Sequence, residues 1–386
     1  MLVILIMGLL TALGPLTIDL YVPAFPVLGG EFGASATELQ LTLAATTAGL
    51  AVGQLVAGPV SDWIGRRRPL VGAATGLHVV TSVGCAVAPA VPVLIACRFG
   101  QGLGAAAGNV LVLAMIRDRA SGPRLVRMLA RVTLVTTVAP LFAPVVGAQL
   151  LGFGWRMIFA VLAAFSGLLL CAVTLLPDNR SQARQSADVL AGARTVLGSR
   201  RFLGVVVAGG MVYASIYAYV AASALLFEDG FHLSPAAFSV IFLVNSLGVV
   251  VGVQAGGMLA RRLGSARMLG CGTVAMLVTA LALRIVTDTF GLPALVVMLW
   301  LFITACGTCF PPAHALSLDD NGEQAGTAAS IFGFSTLAFA AIVTPLTGLF
   351  GKVDAAAMST VLIGCSAVAV LATWIVVKPV VLSHAR

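Results

Sequence analysis

The chain has 386 residues, of which 60% are hydrophobic and only 9% are charged, and its mean hydropathy is +1.07. Soluble domains usually carry about 25% charged residues, so this chain has too little polar surface to fold as a water-soluble protein. The net charge of +8 does not indicate nucleic-acid binding, because the arginines cluster in short links between apolar runs, beside which anionic lipid is expected.

Twelve apolar runs predict twelve membrane-spanning helices. Each run has roughly the 20 residues that a helix needs to cross a ~30 Å hydrocarbon core. The runs are continuous rather than alternating, which favours helices over barrel strands. The predicted spans cover residues 2–28, 38–61, 69–89, 92–116, 128–151, 156–177, 202–226, 235–260, 266–287, 291–317, 325–350 and 355–377. The fold class is therefore all-α integral membrane protein.

Span 1 contains Asp19, the one acidic residue that lies well inside an apolar run. A carboxylate there costs roughly 2.5–3.5 kcal/mol. At ~1.5 Å per residue, Asp19 and Arg98 of span 4 both lie near 10 Å below the outer surface. Two interpretations are open: a permanent Asp19–Arg98 ion pair, or a protonation switch in which burial opposes the carboxylate charge and the arginine favours it.

The link after span 2, residues 58–68, combines Asp62 with three consecutive arginines. Gly65 permits a sharp backbone turn, and so short a link makes the flanking helices antiparallel neighbours. The charges serve either as topology anchors or as a cytoplasmic latch. The link recurs 199 residues later, at 257–267, with Gly264 in place of Gly65 and Arg261 in place of Asp62.

This recurrence indicates two copies of one six-helix unit. The polar segment 178–201 divides six spans from six, so we expect halves at 1–177 and 202–386 joined by a cytoplasmic linker. Spans 2 and 8 also share small residues at four-residue spacing, which permits close helix contact. These residues are Gly49, Gly53 and Ala57 in span 2 and Gly248, Gly252 and Gly256 in span 8.

Span 5 contains Pro140, Pro144 and Gly147, and span 11 contains Pro345 and Gly348. Proline removes a helical hydrogen bond and bends the helix. These positions are either static bends or hinges, and a two-fold transporter would use them as hinges.

Polar groups within or near the spans are the candidates for a substrate cavity. An aromatic wall with few charges suits lipophilic substrates. Tyr217 follows Asp19 by 198 residues, so we expect it to face the same cavity from the other half. The candidate cavity residues are Tyr21, Gln101, Asn109, Tyr213, Tyr217 and Asn245.

The cations are distributed unevenly between alternate links. Sixteen lie in the links after spans 2, 4, 6 and 8, against three on the opposite side. The positive-inside rule then predicts that both termini are cytoplasmic. No cleavable signal peptide is expected, because the chain starts apolar at once without a basic region.

Enzymatic and metal chemistry find little support in the sequence. His78 and His314 are read as isolated, and no zinc-protease, nucleophile-elbow or phosphate-binding pattern appears. Cys306 and Cys309 form a Cys-x-x-Cys pair, but without a second ligand pair they are read as buried small residues. We therefore predict no enzyme, no metal and no cofactor.

Several motifs together resemble the major facilitator superfamily. Its motif A is matched by Gly58, Asp62, Gly65, Arg66 and Arg67. Residues 98–102, Arg-Phe-Gly-Gln-Gly, resemble the antiporter motif B, and residues 143–147 resemble a variant of the exporter motif C. Residues 17–26 and 155–159 resemble the Bcr/CflA drug-resistance group. The resemblance implies a twelve-helix transporter fold in which Arg98 assists proton transfer.

We therefore predict a proton-coupled exporter of lipophilic drugs in the bacterial inner membrane. It would act as a monomer by alternating access, with Asp19 carrying the proton. The alternative is an exporter of an endogenous metabolite, such as an amino acid or peptide, on the same scaffold.

Overall fold

A computed structural model of the chain describes residues 2–64, 67–117, 122–176, 189–319 and 324–378. Within these residues twelve helices are long and apolar enough to cross a membrane, which confirms the predicted all-helical membrane fold. The contacts within the chain divide it into two compact units, Met1–Ala187 and Asp188–Arg386.

The first unit forms its six spans from seven α-helices, because span 1 is interrupted. A short 3₁₀ turn, Val22–Ala24, separates the two helices of span 1. The α-helices are α1 (Leu2–Asp19), α2 (Phe25–Phe32), α3 (Ala36–Ile64), α4 (Arg67–Ala86), α5 (Val91–Arg117), α6 (Gly122–Leu151) and α7 (Trp155–Val173).

The second unit begins with a short helix inside the segment predicted as linker, α8 (Val189–Gly198). In α11 the chain turns at Gly291, whose φ of 67° needs a glycine, so this element supplies two spans. The remaining α-helices are α9 (Arg200–Ala224), α10 (Pro235–Leu263), α11 (Ser265–Asp319), α12 (Ala325–Val343) and α13 (Ala355–Leu371).

Local sequence explains where several helices begin and end. Ser35 and Glu38 form a reciprocal capping box at the start of α3, with the Ser35 N–H donating to Glu38 Oε2 at 2.8 Å and the Glu38 N–H donating to Ser35 Oγ at 3.3 Å. Asp354 caps α13 by accepting from the Ala357 N–H at 2.7 Å. Gly264 ends α10 with a φ of 87°, the sharp turn expected in the second copy of the repeated link.

Small residues hold the second and fourth spans together in each unit. A methyl group at Gly49 would collide with the carbonyl oxygen of Phe99, and one at Gly102 with that of Thr46. In the second unit, Gly252 lies against the carbonyl oxygen of Thr304 and Gly256 against that of Thr308. The repeated small-residue faces therefore allow backbone-to-backbone contact in both units.

The two proline-containing spans, 5 and 11, differ in whether the α-helix continues past the prolines. In span 5, α6 runs without interruption from Gly122 to Leu151, through Pro140 and Pro144. In span 11, α12 ends at Val343 and a 3₁₀ segment, Thr344–Phe350, follows. The predicted hinge in span 5 is thus a continuous helix in this structure, and its motion stays a prediction.

Candidate functional site

The break in span 1 places Asp19 at the end of α1, where its side chain is 8% exposed. Pro23 and Pro26 have no N–H to donate to the carbonyls four residues earlier, which weakens the helix at this point of span 1. The chain instead forms the 3₁₀ turn, with the Ala24 N–H donating to the Tyr21 carbonyl at 3.0 Å. The Leu20 N–H still donates to the Leu16 carbonyl at 3.2 Å, but carbonyl groups nearer the break lack helical donors and are open to other groups.

Arg98 of α5 is completely buried and donates to one of these carbonyls. Its Nη1 lies 2.8 Å from the Thr17 carbonyl oxygen and 2.9 Å from Gln101 Oε1. Its Cζ lies 4.5 Å from the ring centroid of Tyr21 and 5.8 Å from that of Phe159. The C-terminal end of a helix and an aromatic face both attract a cation, so Arg98 is stabilised without a carboxylate.

Arg98 of span 4 lies beside the turn of span 1 that carries Asp19, but the two side chains do not form an ion pair. Within the part of the chain that the structure describes, the Asp19 carboxyl has neither an ion pair nor a hydrogen bond. Arg98 contacts Thr17 and Tyr21, the residues two positions on either side of Asp19. The permanent ion pair, one of the two interpretations of the sequence, is therefore not formed, because the broken helix end takes the arginine instead.

His78 was read from the sequence as isolated, and that reading is wrong. Its imidazole is completely buried, with Nε2 2.8 Å from Thr17 Oγ1 and Nδ1 2.7 Å from Ser166 Oγ. A signal was present in the sequence: Ser82 and Cys85 follow His78 at helical spacing, which gives α4 one polar face. Only the fold shows that this face meets spans 1, 4 and 6.

Gln101 joins Arg98 to His78. Its Nε2 donates to Ser82 Oγ at 2.8 Å, and that hydroxyl lies 3.3 Å from His78 Nδ1. A continuous buried chain of polar groups therefore runs from Arg98 through Gln101, Ser82 and His78 to Thr17. Each member restrains the next in such a chain, so the network orients the segment that carries Asp19.

Tyr21 connects the network to span 2. Its hydroxyl lies 3.1 Å from Thr42 Oγ1, and its ring packs on Phe25 and Phe159 with centroids 5.1 and 5.2 Å apart. Tyr21 and Gln101, both predicted as cavity residues, are thus completely buried members of this network. The remaining cavity candidate of the first unit, Asn109, is half-buried in α5, and its side chain has no hydrogen bond to another described residue.

The cavity candidates of the second unit belong to different clusters. Asn245 is buried and its Nδ2 donates to the Tyr219 hydroxyl at 2.9 Å. Tyr213 instead packs on Phe310, with ring centroids 4.7 Å apart. Tyr217 is half-buried in α9. Asn245 and Tyr213 thus have different neighbours, and a single cavity shared by the three residues stays a prediction.

The predicted latch and hinge are only partly described. Gly58 and Asp62 lie in the last turns of α3 and Arg67 begins α4, whereas Gly65 and Arg66 lie outside the described residues, as do the side chains of Asp62 and Arg67. The structure describes two of the hinge candidates in detail. Pro144 is buried, and Gly147 lies against the Leu20 carbonyl, where a methyl group would collide with the oxygen. Span 5 therefore contacts the break in span 1 directly.

A polar clamp ties α2 to α7. Glu31 accepts from Trp155 Nε1 at 2.6 Å and from Arg156 Nη1 at 2.7 Å. The Arg156 guanidinium lies 4.2 Å from the Trp155 ring centroid. Trp155 and Arg156 had been singled out by their resemblance to the drug-resistance group, but their partner Glu31 had not.

Metal chemistry receives no support from the described residues, which contain no group of three histidine, cysteine or acidic side chains able to hold a metal ion. The Cys-x-x-Cys pair is buried, as predicted, and Cys309 Sγ lies 3.9 Å from the thioether sulfur of Met276.

Comparison with known proteins shows relatives along most of the chain. An uncharacterized MFS-type transporter of Bacillus subtilis, YdgK, is 33% identical over 353 residues, which are 89% of this chain and 88% of that protein. A bicyclomycin resistance protein homolog of Haemophilus influenzae is 28% identical and covers 96% of this chain and 95% of its own. The multidrug resistance protein MdtL of Escherichia fergusonii is 30% identical over 57% of this chain and 56% of its own. These names agree with the Bcr/CflA group that the motifs indicated.

Solved structures share the fold at low sequence identity. A bacterial homolog of the human lysosomal transporter Spinster superposes with a TM-score of 0.80 at 15% identity, covering 98% of this chain and 97% of that one. A D-xylose–proton symporter superposes with a TM-score of 0.79 at 14% identity, covering 99% of both chains. The Major Facilitator Superfamily model itself matches residues 7–345. The chain therefore belongs to the Major Facilitator Superfamily and is a multi-pass membrane transporter, not an enzyme.

Proposed function

We propose that this transporter exports lipophilic drugs in exchange for protons by alternating access. The observation that carries the proposal is the position of Asp19, a buried carboxyl at a break in span 1 that has no cationic partner among the described residues. Ionisable groups inside membrane spans are costly and are functional by default. Discontinuous helices are the recurrent sites at which transporters bind coupling ions.

In the proposed cycle, Asp19 takes up a proton in the outward-facing state as drug leaves and releases it to the cytoplasm as drug binds. Arg98 lies beside the same turn, and its Nε and Nη2 have no partner among the described residues. These N–H groups are available to an ionised Asp19 after a change in side-chain conformation. Competition between the proton and Arg98 for the Asp19 carboxylate would then couple protonation to the geometry of span 1.

The driving force is sufficient for useful export. Moving one elementary charge across 100 mV supplies about 2.3 kcal/mol. At about 1.4 kcal/mol for each tenfold change, this free energy supports a roughly 50-fold substrate gradient.

Drugs are proposed as substrates because of the relatives. Proteins named for bicyclomycin resistance and multidrug resistance are among them. The predicted scarcity of charged groups in the spans favours lipophilic molecules. An endogenous amino acid or peptide remains the competing substrate class, and it is tested below.

We also propose that the protein works as a monomer in the inner membrane with both termini cytoplasmic. The distribution of arginines between alternate links supports this orientation. The motif A residues Gly58, Asp62, Gly65, Arg66 and Arg67 would then form a cytoplasmic latch. Fusing a fluorescent protein that matures only in the cytoplasm to the C-terminus tests the orientation, and absence of fluorescence at normal expression would contradict it.

Drug-dependent proton release from the purified protein tests the coupling. Ethidium is the probe, and wild type is compared with Asp19→Asn at several pH values. Asp354→Asn is the matched control, because it removes a carboxylate but asparagine also caps helices well. We expect proton release from the wild type and from Asp354→Asn, and none from Asp19→Asn.

The other outcomes separate the alternatives. Release that persists in Asp19→Asn would remove Asp19 from the coupling role. Binding of ethidium without release from any variant would contradict proton exchange. Absence of ethidium binding, together with amino-acid- or peptide-dependent release, would establish the metabolite exporter instead.

A further inference from the structure

The second unit contains an aromatic cluster that the proposed coupling does not use. The cluster consists of Tyr213 in α9, Phe310 and His314 in α11, and Phe332 in α12. Ring centroids lie 4.7 Å apart for Tyr213 and Phe310, 6.3 Å for Tyr213 and His314, and 5.0 Å for His314 and Phe332. These are the distances of packed aromatic pairs, so the four rings form one surface.

Glycines in α9 make room for this surface. Gly209 lies one turn before Tyr213, and a methyl group there would lie 2.8 Å from ring atoms of Phe332. The adjacent Gly210 lies against the ring of Phe339, which a methyl group would overlap. Because these two positions lack side chains, aromatic rings from α12 pack directly on the α9 backbone.

Two polar groups in the cluster are open. Nδ1 of His314 lies 2.9 Å from the Phe310 carbonyl oxygen, which can only accept, so Nδ1 carries the proton. In the neutral imidazole Nε2 is then a hydrogen-bond acceptor. His314 is exposed and Tyr213 is half-buried. Neither Nε2 of His314 nor the Tyr213 hydroxyl has a hydrogen-bond partner in the described part of the chain.

Both open groups lie within membrane-spanning helices. Tyr213 lies in the span Arg200–Gly230 and His314 in the span Phe290–Asp319. Polar side chains inside spans usually face a bundle interior or a water-filled cavity rather than lipid. An aromatic surface with a small number of open polar groups is the usual composition of a small-molecule site.

We propose that this cluster is a binding subsite for lipophilic aromatic molecules that carry a hydrogen-bond donor. Nε2 of His314 accepts the N–H or O–H group of the ligand, while the rings of Tyr213, Phe310 and Phe332 contact its aromatic part. None of the four side chains is acidic, so recognition uses a lone pair rather than an ion pair. The inference rests on the proposed export function and specifies the chemistry of its substrate.

A pair of probes separates the contribution of the hydrogen bond to His314 from that of the aromatic surface. Ethidium is an aromatic cation with amino N–H donors, and tetraphenylphosphonium is an aromatic cation without any. Their equilibrium binding to the purified full chain in detergent is measured by calorimetry. We expect His314→Leu to weaken ethidium binding about 5- to 10-fold, as loss of one hydrogen bond predicts, and to change tetraphenylphosphonium binding less than about twofold.

Two further variants complete the design. His314→Gln keeps an acceptor at a similar distance from the backbone, so we expect it to recover most of the ethidium affinity. Phe332→Ala removes part of the aromatic surface, so we expect it to weaken both probes. Thermal unfolding of each variant checks that the fold is retained, and His314→Gln serves as the folded comparison for His314→Leu.

Three results would overturn the inference. They are equal weakening of both probes by His314→Leu, unchanged ethidium binding in that variant, and absence of binding of either probe to the wild type. The proposed proton exchange fails separately. If the expected binding pattern holds but ethidium releases no protons, the subsite stands and the coupling does not.

Discussion

The two units of this transporter share a packing scaffold but differ in chemistry. In the first unit, a methyl group added at Gly53 would lie 2.7 Å from the carbonyl oxygen of Leu103. Its counterpart 199 residues later, Gly252, faces the carbonyl of Thr304. Leu103 and Thr304 therefore occupy equivalent places on the fourth span of each unit, and the neighbouring positions can be compared directly.

At these neighbouring positions the polar core of the first unit is replaced by apolar side chains. Arg98 lies five residues before Leu103, and Leu299 lies five before Thr304. Gln101 lies two residues before Leu103, and the corresponding residue two before Thr304 is Phe302. Leu299 and Phe302 are completely buried, like the residues that they replace. The two units thus share the contacts that hold the helices together, while the buried charge is present at this position in only one unit.

The largest effects are expected where the two units agree. Gly53→Ala and Gly252→Ala each place a methyl group against a backbone carbonyl, so we expect each to lower the free energy of unfolding by about 3 kcal/mol. Unfolding in mixed micelles measures this change. Gly108→Ala and Gly364→Ala are the controls, because a methyl group at either has open space. A loss of stability in only one of the two glycine variants would contradict a packing scaffold shared by both units.

The next effect is expected where the units differ. Arg98→Leu copies Leu299 into the first unit and removes the charged donor of the Thr17 carbonyl and of Gln101 Oε1. We expect a loss of about 1.5–3 kcal/mol in stability, because the hydrogen bonds are charged, together with loss of transport. Leu299→Met is the control and should cost less than about 1.5 kcal/mol. Full transport activity in Arg98→Leu would show that the polar core is dispensable.

A smaller stability effect is expected at His78. His78→Leu removes the hydrogen bonds to Thr17, Ser166 and Ser82, but each of these hydroxyls keeps another hydrogen bond, so we expect a loss of about 1 kcal/mol. The decisive measurement is the pH profile of ethidium export, which should shift because His78 orients the segment that carries Asp19. His232→Asn is the control, since His232 has a φ of 54°, which asparagine tolerates. An unshifted profile would limit His78 to packing.

The smallest effect is expected at the clamp of the first unit. Glu31→Gln breaks an ion pair whose side chains are 40% and 47% exposed. Exposed pairs contribute about 0.2–1 kcal/mol, and salt screens them. Stability measured at low and high salt should therefore differ between wild type and variant only at low salt. A loss as large as that of Arg98→Leu would contradict the contrast between buried and exposed polar contacts.

The sequence by itself determined the helical membrane fold, the positions of the twelve spans, and the repeated small-residue faces. Hydropathy and helical spacing are read along one segment at a time, so distant contacts are not needed to recognise them. Depth along the helices also indicated that Asp19 and Arg98 lie in the same region. That inference needed only the rise per residue and the direction of each span.

Only the tertiary structure decided the partners within that region. Arg98 binds the Thr17 carbonyl because span 1 breaks after Asp19, and His78 meets partners 61 and 88 residues away in the chain. A buried imidazole bonds whichever hydroxyls the packing brings to it. Such contacts depend on how several helices pack around one another, which no pattern along a single helix specifies.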